Sequence, residues 1–163
     1  MSDNSPADTE ARLLALEGEE TVNGLLAATA RLLVDALQTT ACAISRVIGD
    51  LLVELVEHST GPSMQSGHGY LISDYPATRE VLEGREPMTI SVTDGDADPQ
   101  EVALLRELKL DSLLMLPLLC RDEIWGLVEV YDNRPDRFVD ADVETAKRVV
   151  ERAATLLDRL SSN

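Results

Sequence analysis

The sequence predicts an α+β fold. Two long amphipathic helical stripes lie near the ends of the chain, over residues 21–37 and 140–160. Between them, four short apolar runs fall into two hairpin-like pairs, separated by shorter helix signatures. The chain has 163 residues, the size of one domain, so these elements must share a core. Terminal helices flanking a mainly antiparallel sheet satisfy all three observations.

Residues 1–10 are polar and rich in Ser and Asp, which predicts a disordered lead-in to a single domain over 11–160. A short helix is expected from about Thr9 to Glu17, stopped by Gly18. Thr21 then caps a helix to about Leu37, with Val22, Leu25, Leu26, Thr29, Leu32, Leu33, Ala36 and Leu37 forming one stripe. Next the period shortens. Ala41–Val47 and Leu51–His58 read as a β-hairpin around Gly49-Asp50. Residues 59–74 contain three glycines and a proline, and loops of that length in a compact domain are functional lids or mobile segments.

Asp74 and Pro76 open a short helix to about Glu83, closed by Gly84. Pro87–Val92 is an edge strand, its proline sitting where no ladder donor is needed. Asp98-Pro99-Gln100-Glu101 is a helix start, with a cap, a proline at the first position and an acid at the third; that helix ends near Lys109. Ser112–Cys120 and Glu123–Asp132 form the second hairpin around Arg121-Asp122. Asp140 caps the last helix, with Asp142 and Glu144 in its first turn and Arg152 and Arg159 towards its end, as the helix dipole favours.

Composition narrows the function. Hydrophobic residues make up 44% of the chain and charged residues 27%, enough to bury a core in water. Thirty acidic against fourteen basic side chains give a net charge of −16, which repels nucleic acid and anionic membrane surfaces. No apolar run approaches the ~20 residues of a membrane span, and the N-terminus lacks the basic and apolar regions of a signal peptide. The two cysteines, Cys42 and Cys120, lie inside apolar runs without metal spacing, which fits two buried thiols in a reducing cytoplasm. Residues 134–163 carry six charges of each sign and are neutral, so the last helix suits packing against another helix.

The element order, together with several local strings, resembles a GAF domain, the small-molecule sensory module of bacterial signalling proteins. The strings are Ala41-Cys42-Ala43-Ile44-Ser45-Arg46, Asp74-Tyr75-Pro76-Ala77-Thr78-Arg79 with Val81-Leu82-Glu83, Ser112 through Leu118, and Ile124-Trp125-Gly126-Leu127-Val128-Glu129-Val130-Tyr131-Asp132 followed by Phe138. The resemblance covers roughly residues 21–160. It implies a GAF-like (profilin-like) antiparallel sheet of five to six strands. The long terminal helices lie on one face, and short helices and the long loop cover a pocket on the other. Such domains take cyclic nucleotides, haem, bilins or metabolites, so the fold leaves the ligand and any cofactor unknown.

Strand alternation locates the candidate pocket. Ile124, Gly126, Val128 and Val130 are expected to face the long helices, and Trp125, Leu127, Glu129 and Tyr131 the pocket. Ser45 and Met115 join that lining, and Tyr70 and Tyr75 flank the loop that closes over it. A mid-strand carboxylate such as Glu129 must find a donor or a ligand; Arg46 or solvent would serve for a merely packed minor core.

Catalytic readings are weaker. Ser63 or Ser66 with His68 and Asp74 supplies triad residue types without a nucleophile elbow. Neither His58 nor His68 is placed as a haem ligand, and buried strand thiols suit neither chromophore attachment nor the cysteine chemistry of the family's free methionine sulfoxide reductases. The expectation is a non-enzymatic sensory domain that binds a small molecule or relays a signal to an output domain. The alternatives are a GAF-fold enzyme and a pure dimerisation module with a vestigial pocket. A homodimer is expected from the terminal helices, residues 9–37 and 140–160. Val143, Ala146, Val150, Ala153, Leu157 and Leu160 are spaced three, four, three, four, three, like a heptad seam.

Overall fold

Both hairpins form where the apolar runs place them. A computed structural model describes residues 6–61 and 69–162. Its elements in order are α1 (Pro6–Leu16), α2 (Val22–Leu37), β1 (Ala41–Ile48), β2 (Leu51–Ser59), β3 (Gly69–Leu71), a single 3-10 turn at Ile72–Asp74, α3 (Pro76–Gly84), β4 (Met88–Ser91), α4 (Pro99–Glu107), β5 (Ser112–Cys120), β6 (Glu123–Asp132) and α5 (Asp140–Ser161). The strands make one antiparallel sheet in the order β3-β2-β1-β6-β5-β4. This is the α+β arrangement of the resemblance, with six strands and five helices.

Local chemistry explains the element ends. The Thr21 hydroxyl accepts the Gly24 N–H at 3.0 Å and starts α2. The Asp98 carboxylate accepts the Gln100 N–H at 2.9 Å and the Ala77 N–H at 3.0 Å, so one side chain caps α4 and ties down the start of α3. Arg121 and Asp122, with φ of 52° and 62°, turn β5 into β6 in the double left-handed geometry that matches strand twist.

The sheet separates two cores. On one face Cys42, Ile44, Leu114, Leu116, Val128 and Val130 pack under α2 and α5, with Leu13 and Leu16 of α1 outside them. On the other, Ala43, Leu113, Met115, Leu127 and Tyr131 meet the 3-10 turn, α3 and α4 through Ile72, Val81 and Leu105. Among the described residues no helix is long and apolar enough to cross a membrane.

Several expectations are corrected. Helix α1 takes in Pro6 to Glu10, half of the expected lead-in; residues 1–5 lie outside the described residues. Residues 69–74, expected as part of one irregular stretch, form an edge strand on β2 and the 3-10 turn, while 62–68, with Ser63, Ser66 and His68, lie outside the described residues. Gly84 ends α3 inside the helix, and Arg85 takes the left-handed position at φ 57°. Asp140 is the first residue of α5 instead of its cap, and the Asp142 carboxylate accepts the Val139 N–H at 2.9 Å.

Two further corrections concern the candidate surfaces. Leu118 pairs with Gly126 but Leu119 pairs with Ile124, so β6 carries one extra residue, Trp125. That bulge reverses the alternation below Gly126. Trp125 packs with the helix-side core under Arg46, whose guanidinium lies 4.4 Å from the ring centroid, and Ile124 packs on the opposite side. The expected dimer seam is largely buried in the chain itself: Ala146, Val150 and Leu157 lie in the core shared with α2, Ala153 is buried too, and only Val143 and Leu160 are partly exposed. The same three–four spacing serves intramolecular helix packing and a coiled coil.

Two variants test this packing. A Cβ on Gly126 would lie 2.3 Å from the Ser45 carbonyl oxygen, so Gly126→Ala should lower unfolding free energy by about 2 kcal/mol or more in urea titrations. Leu157→Glu places a charge in the core and should unfold the domain. A folded Leu157→Glu chain that differs only in sedimentation would restore the dimer seam.

Candidate functional site

The face of the sheet under α3 and α4 is built in rows. Glu129 on the central strand β6 lies between Ala43 of β1 and Met115 of β5, and Met115 pairs onward with Met88. One row away Tyr131 lies between Ala41 and Leu113. On the other side Leu127 lies between Ser45 and Pro117. Alternation on β1 puts the buried Ala41 and Ala43 beside both polar residues of β6.

The charges that act on Glu129, Tyr70 and Tyr75 are acidic. The partly buried Glu129 accepts the Tyr131 hydroxyl at 2.8 Å. Burial, then the charge of Glu101 and more weakly that of Glu54, push the Glu129 carboxyl up to about 8 against the hydrogen bond that lowers it. Glu101, 2% exposed on α4, accepts the Thr78 hydroxyl of α3 at 2.5 Å, and burial raises its carboxyl too. Thr78 also approaches the Met115 sulfur at 3.6 Å, which fixes α3 over the Glu129 row. Tyr70 and Tyr75 stand edge to face with ring centroids 5.9 Å apart. Burial raises both hydroxyls, with Glu129 and Glu107 among the charges that raise them further.

Seven of the eight sequence-predicted site residues therefore belong to this face: Ser45, Tyr70, Tyr75, Met115, Leu127, Glu129 and Tyr131. Trp125 does not, because of the bulge. Arg46 is not the partner of Glu129, since it donates to the Trp125 carbonyl oxygen at 2.9 Å on the helix side. Thr78 and Glu101 were missed. Glu101 reads in the sequence as a first-turn acid, yet it stands four residues before the buried Leu105 and so shares its inward stripe. Cys42 is fully buried against the helical core, where burial pushes its thiol up; Cys120 is partly buried on the same side, and burial followed by Asp158 raises it as well. Among the described residues no group of acids, histidines and cysteines has the arrangement of a metal site.

The GAF domain family model matches residues 21–157. No curated protein matches the chain. Solved structures do. The phycoerythrobilin-bound GAF domain from a cyanobacterial phytochrome superposes with a TM-score of 0.83 at 18% identity, covering 94% of this chain and 96% of that one. A phycocyanobilin-bound GAF domain from a cyanobacterial phytochrome gives 0.80 at 18% identity, with 93% and 94% covered. The chromophore-binding domain of an unusual bacteriophytochrome from R. palustris gives 0.83 at 10% identity, covering 96% of this chain and 60% of that one. At these identities the likeness is one of fold.

The raised Glu129 carboxyl makes stability depend on pH in a defined direction. The folded chain holds this proton more tightly than the unfolded chain. Stability from this group is fully present below the ordinary carboxylate range and is lost as pH rises towards about 8. Glu129→Gln keeps an acceptor for Tyr131 and removes the charge. Its stability gain over the parent should be small near pH 4.5, grow to pH 8 and then level off. Allowing for partial exposure, the gain should reach on the order of 3 kcal/mol in thermal melts. A gain independent of pH would contradict this assignment.

Proposed function

The chain belongs to the GAF domain family, and we propose that it is a non-enzymatic sensory module that binds a small organic cation on the Glu129 face. The observation that carries this reading is the pairing of carboxylates with aromatic rings on one side of the sheet. Glu129, Glu101, Glu54 and Glu107 lie within electrostatic reach of Tyr70 or Tyr75, and alanines flank Glu129 and Tyr131 on the β1 side. Tyrosine faces and carboxylates together suit an amine or quaternary ammonium group. A bound cation would offset the burial and, secondarily, the like charge that raise the Glu129 carboxyl.

The bilins of the structural relatives fit this face poorly. A bilin carries propionate anions, which would meet acids here, and covalent attachment needs a thiol. Both cysteines of this chain lie on the helix side of the sheet. The same placement disfavours a thiol-based methionine sulfoxide reductase. No step of catalysis is assigned.

Transmission to an output segment or partner is proposed through α5. The β5–β6 turn joins the two faces: the Asp122 carbonyl oxygen accepts from Arg85 at the end of α3 at 3.0 Å, and the Arg121 N–H donates to Asp158 of α5 at 2.6 Å. Arg121 also donates to the Ser161 carbonyl oxygen at 3.0 Å. A ligand that moves α3 has a mechanical path to the last turn of α5. Because the apolar stripe of α5 is buried in its own core, this relay is proposed within one chain and not across a coiled coil.

The test is calorimetric titration with choline, putrescine and biliverdin from pH 6.5 to 9. Cation affinity should rise with pH by about tenfold across the Glu129 titration, with proton release on binding. Glu129→Gln should weaken binding at pH 9 and remove the pH dependence. Tight biliverdin binding with no response to either amine would overturn the cation reading.

A further inference from the structure

A cavity of about 290 Å³ lies along the outer edge of β5 against α5, away from the Glu129 row. It exists because β4 is short. β4 pairs only with Ser112–Met115, so β5 continues from Leu116 to Cys120 paired with β6 alone, its other edge open among the described residues. Pro117, which has no N–H to donate, occupies this open edge and blocks further strand addition there. Helix α5 forms one wall and the Arg85–Pro87 connector the other, held across the gap by the Arg85–Asp122 hydrogen bond at 3.0 Å.

The lining has an apolar floor and charges of both signs at the rim. Leu116, Leu119, Val150 and Ala154 supply the floor. Lys147 and Glu151, one turn apart on α5, and Glu86 on the connector supply charge, with Arg85 beside them. Among the described residues Lys147, Glu151 and Glu86 take part in no ion pair or side-chain hydrogen bond, with each other or with a third group. We propose that this cavity is a second ligand site, for a free apolar α-amino acid. Its carboxylate would be held by Lys147, its ammonium by Glu151 or Glu86, and its side chain against Leu119, Val150 and Ala154. The volume lies at the lower end of small-molecule sites, which suits a ligand of amino-acid size and excludes a nucleotide or a tetrapyrrole. Since α5 and the Arg85 connector form opposite walls, an occupant would touch both ends of the β5–β6 turn junction and bias the same relay.

The experiment titrates the full chain with L-leucine, 3-methylbutylamine and 4-methylpentanoate, with calorimetry for affinity and amide chemical shifts for location. L-leucine should bind, and each analogue, which keeps the apolar body and only one charge, should bind about tenfold more weakly or less. Shifts should centre on Leu119, Lys147 and Ala154. Lys147→Met and, separately, Glu151→Gln should each weaken leucine at least tenfold without lowering the melting temperature, because both side chains reach solvent and lack partners. No leucine binding, equal binding of either analogue, or shifts centred on Ala43 and Leu127 would each overturn the proposal. Failure here leaves the cation reading standing, since that rests on the Glu129 face.

Discussion

Strand β6 is paired along both edges, with β1 on one side and β5 on the other, so its side chains have no freedom except to alternate. Val128 and Val130 must enter the helical core, and Leu127, Glu129 and Tyr131 must face the other way. Gly126 tightens the constraint, because β1 approaches so closely there that the Ser45 carbonyl oxygen occupies the space of a Cβ. The Glu129 face is placed relative to this strand. The helical face is packed with aliphatic side chains, and the opposite face has to accommodate a carboxylate in the middle of a sheet.

That accommodation explains the rest of the Glu129 face. A carboxylate taken from water needs a donor, a proton or a counter-charge. Tyr131, two residues away on the same strand, supplies a donor, and the high proton affinity of Glu129 supplies the second answer. Glu101 makes the third answer harder by adding like charge, yet Thr78 holds it in place with a short hydrogen bond. A purely structural face would gain stability from replacing these acids with apolar groups. The two acids and three tyrosines on this face have a physical purpose under the proposed function, in which a counter-charge arrives from outside.

Much of this was legible in the sequence because it is local. The hairpins follow from alternating apolar runs and short turns, and α2 and α4 from their caps at Thr21 and Asp98. What was not legible depends on pairing across strands or helices. The bulge at Trp125 shows only in the mismatch between Leu118–Gly126 and Leu119–Ile124, which no reading of β6 alone contains. The stripe through Ala146, Val150, Ala153 and Leu157 has one spacing whether its partner is α2 or a second chain. Arg85 at positive φ carries no sequence signal, because Gly84 beside it is the residue that ordinarily takes that conformation. Thr78 and Glu101 meet only because Asp98 draws the starts of α3 and α4 together.

The two faces are insulated by the sheet but not independent. A packed sheet transmits little from one side to the other through its strands, since each residue commits its side chain to one face. Coupling has to travel around an end. The β5–β6 turn is such an end, and its two residues divide the work: Asp122 is engaged by Arg85 from α3, and Arg121 by Asp158 and Ser161 of α5. Both hold left-handed backbone conformations, so a shift that strained either would be resisted by the turn and passed on to its partner. Net negative charge reinforces the direction of the response. Acids crowd the Glu129 face, whereas residues 134–163, which include α5 on the opposite face, are electrically neutral. A cation arriving on the first therefore changes repulsion there without altering the charge balance of the second. The signal reaching α5 would be a change of position at the turn.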